Sequence, residues 1–130
     1  LGMINEKKID YLDKKLKELD GKFNYIYTQL NYNKKDLNLR AIAKISKKTI
    51  NPISYGHHAL DTIPILISLT YDVDKIFIYI KLNKLKKHND EDHAFYPSEI
   101  NCLLDKMEVA NDYLGNETKT KSINEIELNE

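Results

Sequence analysis

The chain has 130 residues, with 20 basic and 20 acidic side chains and a formal net charge of zero. This length predicts a single domain whose hydrophobic core is large enough to fold without disulfides or a structural metal, and the single cysteine excludes an intrachain disulfide. With no signal peptide and no uncharged apolar span, we expect an intracellular protein in a reducing compartment, cytoplasmic or nuclear, with no membrane partner. Basic residues are concentrated in residues 1–48 and acidic residues in 97–130, which favours either an acidic partner for the N-terminal half or mutual screening of the two ends.

An apolar repeat near the N-terminus predicts a long coiled-coil-like helix over residues 4–31. Its members alternate in steps of three and four residues, as the a and d positions of a coiled coil do: Ile9, Leu12, Leu16, Leu19, Phe23, Ile26 and Leu30. Such a narrow seam indicates a partner interface with another protein. In a parallel homodimer Lys8 would lie opposite Asp13 of the other chain, so a homodimer should be parallel. A heteromeric partner, or packing within the chain, is the alternative.

A second helix is predicted over residues 35–48, because Pro52 disfavours helical backbone just beyond it. The basic side chains on and beside this helix form a basic surface: Lys34, Lys35, Arg40, Lys44, Lys47 and Lys48. Tyrosines nearby would allow this surface to contact nucleic acid, but specific base recognition relies on arginine, and Arg40 is the only one in the chain. An ordinary solvated face is the favoured interpretation, and nucleic-acid binding is the alternative.

The middle of the chain changes to a β pattern. Ile76, Ile78 and Ile80 alternate with lysine and aromatic residues after a turn at residues 72–74, so we expect a central β-hairpin over residues 63–82. A two-stranded ribbon is unstable alone. The hairpin must therefore pack on the helices.

A third helix is predicted over residues 97–114, since Pro97 and Glu99 suit the first turn of a helix. A mobile tail is expected at residues 116–130, which are polar. The predicted fold class is therefore α+β. One domain, residues 1–115, would contain the long N-terminal coiled-coil-like helix, two further helices and the central hairpin.

The sequence offers little chemistry. The four histidines are His57, His58, His88 and His93. Together with Asp61 and the acidic residues before His93 they could hold a divalent metal, but no known zinc spacing is present, so a solvated loop is favoured. Cys102 has no histidine close in sequence and is interpreted as a small core residue. Because no catalytic or phosphate-binding motif is found, we expect no enzymatic activity, no cofactor and no metal site.

Two short segments carry a family resemblance. Residues 43–52 contain Ala43, Ile45-Ser46, Thr49 and Pro52, and residues 95–99 read Phe-Tyr-Pro-Ser-Glu. Both are similar to segments that follow a coiled-coil helix in the Mediator complex subunit 4 family, a middle-module subunit of the eukaryotic transcription coactivator. The chain departs from that family after residue 99, where an Arg-Gly element is replaced by Ile-Asn-Cys-Leu. The resemblance implies a non-enzymatic scaffold subunit whose seam pairs with a sister subunit.

The sequence therefore predicts a non-enzymatic protein–protein interaction protein, with a scaffold subunit of a transcription coactivator complex as the named hypothesis. Two alternatives stay open. One is a small phage or mobile-element protein that binds and inhibits a host factor. The other is a dimeric nucleic-acid-binding regulator that uses the basic surface, which should lose affinity as salt rises.

Overall fold

The computed structural model describes residues 1–2, 4–5, 7–19, 21–82 and 89–122. Within these residues, helices and short strands alternate along the chain: α1 Lys7–Lys17, β1 Tyr25–Tyr27, α2 Arg40–Ser46, β2 Ile53–Gly56, α3 Ile63–Leu69, β3 Ile76–Phe77 and α4 Pro97–Leu114. Two 3₁₀ turns lie at Lys34–Asp36 and Glu91–His93. The prediction of a mixed helix-and-strand fold is confirmed.

The strands form a parallel sheet in the order β1-β2-β3. Tyr25 is in register with Ile53, and Tyr55 with Ile76. Because consecutive parallel strands need a crossover, α2 connects β1 to β2 and α3 connects β2 to β3. An isolated parallel bridge between Ile80 and Phe95 lies beyond β3. The carboxyl ends of all three strands therefore lie at the same edge of the sheet, where the site described below is found.

The predicted hairpin over residues 63–82 is wrong. Its first half is helix α3, and its second half contributes β3 to the parallel sheet. Pro64 lies in the first turn of α3, where its fixed φ suits a helix. Asp72 has a left-handed backbone (φ 50°) in the connection from α3 to β3. The apolar run was interpreted as a strand because its exposed positions are apolar as well: Ile63 is 59% exposed and Ile67 41%, so the run shows little helical periodicity.

The predicted helix over residues 4–31 is also wrong, because α1 ends at Lys17 and residues 25–27 are strand β1. Gly21 lies between them, and glycine costs about 1 kcal/mol relative to alanine within a helix. Tyr25, Ile26 and Tyr27 have high strand propensity and pair with β2. Pairing across the sheet therefore overrides the three-four spacing.

The seam of seven apolar residues does not exist as one surface. Ile9 is buried, and Leu12 and Leu16 pack against the core, so the first part of the seam faces inward. Leu19 is 59% exposed. Phe23 is half-buried outside the helix, Ile26 is in β1, and Leu30 is exposed in the following loop. A coiled coil formed by all seven residues is therefore excluded by this fold.

The predicted second helix, residues 35–48, is shorter than expected. The 3₁₀ turn Lys34–Asp36 precedes it, and α2 extends only from Arg40 to Ser46. Asn38 adopts a left-handed backbone (φ 46°) between the two, which interrupts helical geometry. The side chains of the basic surface are solvent-exposed around this turn and helix. Lys34 pairs with Asp61 at 2.9 Å.

Helix α4 spans the residues predicted for the third helix. Its first turn contains Pro97, and the Glu99 carboxylate accepts a 2.7 Å hydrogen bond from the Tyr96 backbone N–H. Leu103 is its buried residue, whereas Cys102 is exposed, so the interpretation of that cysteine as a core residue is wrong. Residues 116–122 form no regular element, and residues 123–130 of the predicted tail lie outside the described residues. None of the helices in the described part of the chain has the length and hydropathy to cross a membrane.

The core lies between the helices and one face of the sheet. All four helices contribute buried residues to it, as do alternate residues of β1 and β2: Ile9, Ile42, Ile45, Ile65, Leu103, Tyr25, Tyr27, Ile53 and Tyr55. Ile26 and Phe77 belong to the opposite face and are partly exposed. Gly56 lies between them, and a Cβ there would stand only 2.9 Å from the Ile26 Cγ2 atom. Side chains on that face are therefore closely packed, and Ser54 of β2 is fully buried there.

Candidate metal centre

Polar and aromatic side chains gather at the carboxyl end of the parallel sheet. His57 and His58 follow β2 directly, Tyr79 follows β3, and Tyr32 lies beyond β1. The 3₁₀ turn Glu91–His93 brings a further imidazole to the same edge. In parallel α/β folds, this edge is where ligand sites are built, because the loops after the strands converge there.

Two imidazoles and one carboxylate converge within this group. The His58 Nε2 atom lies 3.4 Å from the Asp90 Oδ1 atom, and the His93 Nε2 atom lies 3.9 Å from the same oxygen. One ligand atom from each residue can be chosen so that all three lie within 4.8 Å of one another. Two ligand atoms bound at about 2.1 Å in tetrahedral geometry are about 3.4 Å apart. The His58–Asp90 distance already matches that spacing, and the His93 distance is close to it.

The two imidazoles are largely buried, so their ring nitrogens need a hydrogen-bond partner or a bound cation. The His93 side chain is 0% exposed and the His58 side chain 11%, whereas the Asp90 side chain is 40% exposed. The His93 Nε2 and His58 Nδ1 atoms are buried without a hydrogen-bond partner among the described residues. A buried polar atom without a partner costs about 1–3 kcal/mol. A cation between Asp90 and the two rings would satisfy the His93 nitrogen and leave Asp90 facing solvent.

The protonation state suits ligation. Burial lowers the pKa of His93, and the neighbouring His58 ring, with a centroid separation of 3.9 Å, lowers it further. Asp90 and Asp92 act in the opposite direction with smaller effect. The His93 imidazole is therefore neutral at pH 7, and a neutral imidazole is the form that binds metal.

Local backbone geometry brings Asp90 and His93 together. Asp90 has a left-handed conformation (φ 64°), which aspartate tolerates better than most residues, and it precedes the 3₁₀ turn. The Lys81 ammonium donates a 2.9 Å hydrogen bond to the Glu91 carbonyl oxygen and holds this turn beside the sheet. Next to His58, the backbone N–H of His57 donates a 2.8 Å hydrogen bond to the Phe77 carbonyl oxygen. The two halves of the site are therefore anchored to β3 and to the segment that follows it.

His57 has a different role from its neighbour. Its side chain is buried, with the Tyr55 hydroxyl 3.4 Å from its Nδ1 atom and the Phe95 ring at a centroid distance of 5.6 Å. Burial, reinforced by His93, lowers the pKa of His57 to about 4. A neutral imidazole packed among aromatic rings is a core residue, and it is not one of the converging metal ligands.

The sequence-based candidates are only partly brought together. His58 and His93 meet, and Asp90 completes the group. Asp61 does not take part, because its carboxylate pairs with Lys34 and accepts the Ile63 backbone N–H at 3.1 Å. His88 lies outside the described residues. No known metal-binding spacing marks this group: Asp90 and His93 are three residues apart in one turn, but His58 follows β2 and meets them only through the parallel topology.

Comparison with known proteins gives a fold but no sequence family: no protein-family model and no curated protein matches the chain. Among solved structures, it is similar to N-acetylneuraminic acid (sialic acid) synthetase from Leptospira borgpetersenii serovar Hardjo-bovis in complex with citrate. The TM-score is 0.84 at 21% sequence identity, over 98% of this chain and 45% of that one. A candidate spore coat polysaccharide biosynthesis protein E from Chromobacterium violaceum gives a TM-score of 0.75 at 16% identity, over 98% and 39%. The chain therefore spans less than half the length of either structure.

These similarities correct one expectation. The sequence predicted a protein that is not an enzyme, but the fold is one found in a synthetase and in a protein of polysaccharide biosynthesis, so the fold is related to enzymes. The resemblance to the Mediator complex subunit 4 family remains a prediction. The scaffold, inhibitor and nucleic-acid hypotheses, and the expected compartment, remain predictions as well.

Proposed function

We propose that the chain forms the metal-binding edge of a biosynthetic enzyme with a sialic acid synthetase-like fold. In this proposal His58, Asp90 and His93 hold one divalent transition-metal cation. The observation that carries it is the buried, unpartnered His93 Nε2 atom, aimed at the same Asp90 oxygen that faces His58. The fold supports it, since the group lies at the sheet edge where parallel α/β enzymes build their sites.

The donor set indicates which ions fit. Two imidazoles and one carboxylate are the ligands of catalytic Zn²⁺ in some hydrolases and of non-haem Fe²⁺, and both arrangements keep open coordination positions. The partly exposed Asp90 marks the side from which a ligand would reach those positions. A cation bound there would polarise a substrate oxygen.

Metal binding is tested directly on the purified chain. Titration with Zn²⁺ in a calorimeter and with Co²⁺ by visible absorption should show one site per chain. His93→Ala should weaken binding at least tenfold, and so should Asp90→Asn, whose partly exposed position makes a folding defect less of a concern. Asp92→Asn is the matched control, because Asp92 is an exposed neighbour outside the group and should bind as the wild type does. Equal losses in Asp92→Asn and Asp90→Asn would contradict the site.

The carbohydrate part of the proposal needs a second experiment. An acidic sugar would place its carboxylate in the open metal positions, so N-acetylneuraminic acid should shift the amide NMR signals around residues 57–58 and 90–93 in the metal-loaded chain. Glucose, which has no carboxylate, is the control. Equal responses to glucose and to N-acetylneuraminic acid would refute an acidic-sugar site while leaving the metal site standing.

A further inference from the structure

Tyr32 contacts both imidazoles of the candidate metal centre. Its hydroxyl oxygen lies 3.2 Å from the His93 Nδ1 atom. Its ring stacks on the His58 ring with centroids 5.3 Å apart and planes inclined by 17°. One residue from the loop after β1 therefore contacts one ligand by hydrogen bonding and the other by stacking.

The hydrogen bond bears on which nitrogen of His93 carries the proton. A neutral imidazole has one N–H and one lone pair, and a cation can bind only the nitrogen with the lone pair. If Nε2 carried the proton, the nitrogen facing Asp90 would be blocked. If Nδ1 carries it, Nδ1 donates to the Tyr32 oxygen and the Nε2 lone pair is free. The second arrangement is the only one that permits binding at Nε2.

We propose that Tyr32 is a positioning residue of this centre: its oxygen accepts the His93 Nδ1–H and frees Nε2, and its ring fixes the plane of the His58 imidazole. The inference rests on the proposed metal-binding function. Partners of this kind, which orient a ligating histidine through its second nitrogen, typically change metal affinity about 10–100-fold when removed.

Tyr79 provides the matched comparison. It is 45% exposed and Tyr32 is 41% exposed, and its ring also contacts both imidazoles, at 4.7 Å from His93 and 6.3 Å from His58. These contacts are edge-on, with interplanar angles of 86° and 85°. Among the described residues no hydrogen bond joins the Tyr79 hydroxyl to either imidazole. Removing the hydroxyl should therefore matter at Tyr32 and not at Tyr79.

The experiment compares Tyr32→Phe, Tyr32→Leu and Tyr79→Phe in the full chain. Tyr32→Phe keeps the stacked ring and should weaken Zn²⁺ binding about tenfold or more. Tyr32→Leu also loses the stack and should weaken binding further. Tyr79→Phe should stay within twofold of the wild type. An unchanged affinity in Tyr32→Phe, or an equal loss in Tyr79→Phe, would overturn the assignment.

A second readout separates positioning from general structural support. The ¹⁵N chemical shifts of the His93 ring, measured without metal, report its tautomer. The wild type should carry the proton on Nδ1, and Tyr32→Phe should shift the ring toward the Nε2–H form. If the wild type binds no metal but this tautomer shift occurs, the proposed function fails and the positioning role of Tyr32 stands. If metal binds and neither affinity nor tautomer responds to Tyr32→Phe, the positioning role fails and the metal site stands.

Discussion

Replacing Asp13 with asparagine should lower the free energy of unfolding by about 2–3 kcal/mol. One carboxylate oxygen of Asp13, on α1, accepts hydrogen bonds from the hydroxyls of Tyr25 and Thr49, each at 2.8 Å, and from the Asn51 side-chain amide at 3.0 Å. A hydrogen bond to a charged group is worth about 1.5–3 kcal/mol and one between neutral groups about 0.5–1.5. Losing the charge therefore costs about 1 kcal/mol per bond, reduced somewhat because Asp13 is only half-buried.

The pH dependence of unfolding gives a second measure of the same contacts. Burial opposes ionisation of Asp13, but the hydrogen bonds from Thr49, Tyr25 and Asn51 outweigh it, and the pKa of Asp13 is lowered from 3.8. A carboxyl group with a lowered pKa in the folded state stabilises the fold above its ordinary pKa, and this contribution is lost as pH falls through the folded value. Asp13→Asn should therefore remove part of the acid destabilisation that we expect below about pH 4.

Urea unfolding followed by circular dichroism is the assay, with Asp10→Asn as the control on an exposed position of the same helix. A double-mutant cycle with Tyr25→Phe should give a coupling energy of about 1 kcal/mol, since the two side chains are in direct contact. The reasoning is refuted if Asp13→Asn costs no more than Asp10→Asn, or if the Asp13 and Tyr25 effects simply add. An effect of Asp13→Asn that depends on protein concentration would instead favour the interchain pair with Lys8 expected from the heptad pattern.

Three further predictions follow from burial, space and charge. Leu16→Asp should lower the free energy of unfolding by about 2 kcal/mol or more in urea titrations, whereas Leu19→Asp should change it by less than about 0.5, because only Leu16 packs on the core. Gly56→Ala should cost about 1–3 kcal/mol, and Ile26→Ala in the same chain should recover part of that loss, because the new Cβ would lie 2.9 Å from Ile26. Zn²⁺ affinity, measured by calorimetry, should fall in acid because a protonated imidazole does not bind metal, and the lowered pKa of His93 should place its share of that fall below about pH 6.5, the ordinary value for histidine.

Sequence patterns predict an element correctly where the local conformational preference and the tertiary contacts favour the same secondary structure. Pro97 and Glu99 indicate a helix start, and α4 begins there. The residues of α1 were correctly given a helical periodicity, but the same spacing continued through Ile26 without marking the change to β1. Only the pairing of β1 with β2 decides that change, and pairing between distant strands is invisible to a local pattern.

From sequence alone, the histidines and their acidic neighbours were considered as a metal site and rejected, for a related reason. His58 and His93 each look like ordinary loop residues, and nothing in their neighbourhood has a metal-binding spacing. They meet because a parallel sheet brings the carboxyl ends of successive strands to one edge, whereas the predicted hairpin would have reversed the chain at residues 72–74. Because the hairpin prediction made these strands antiparallel, it did not bring His58 and His93 to the same edge of the sheet, and so it gave no reason to expect a site there.

The residues that stabilise the fold through Asp13 and the proposed metal ligands lie at opposite ends of the parallel sheet. The Asp13 contacts lie at the amino end, where the Ser54 hydroxyl also donates to the Asn24 side-chain oxygen at 2.9 Å, while the metal group lies at the carboxyl end. Asp13→Asn should therefore lower the free energy of unfolding without changing Zn²⁺ affinity in the folded chain. Asp90→Asn should lower Zn²⁺ affinity without changing the free energy of unfolding, since the Asp90 side chain is partly exposed and does not pack in the core. If both substitutions reduced Zn²⁺ affinity equally, the histidine group would be reporting the stability of the fold, and the metal assignment would have to be abandoned.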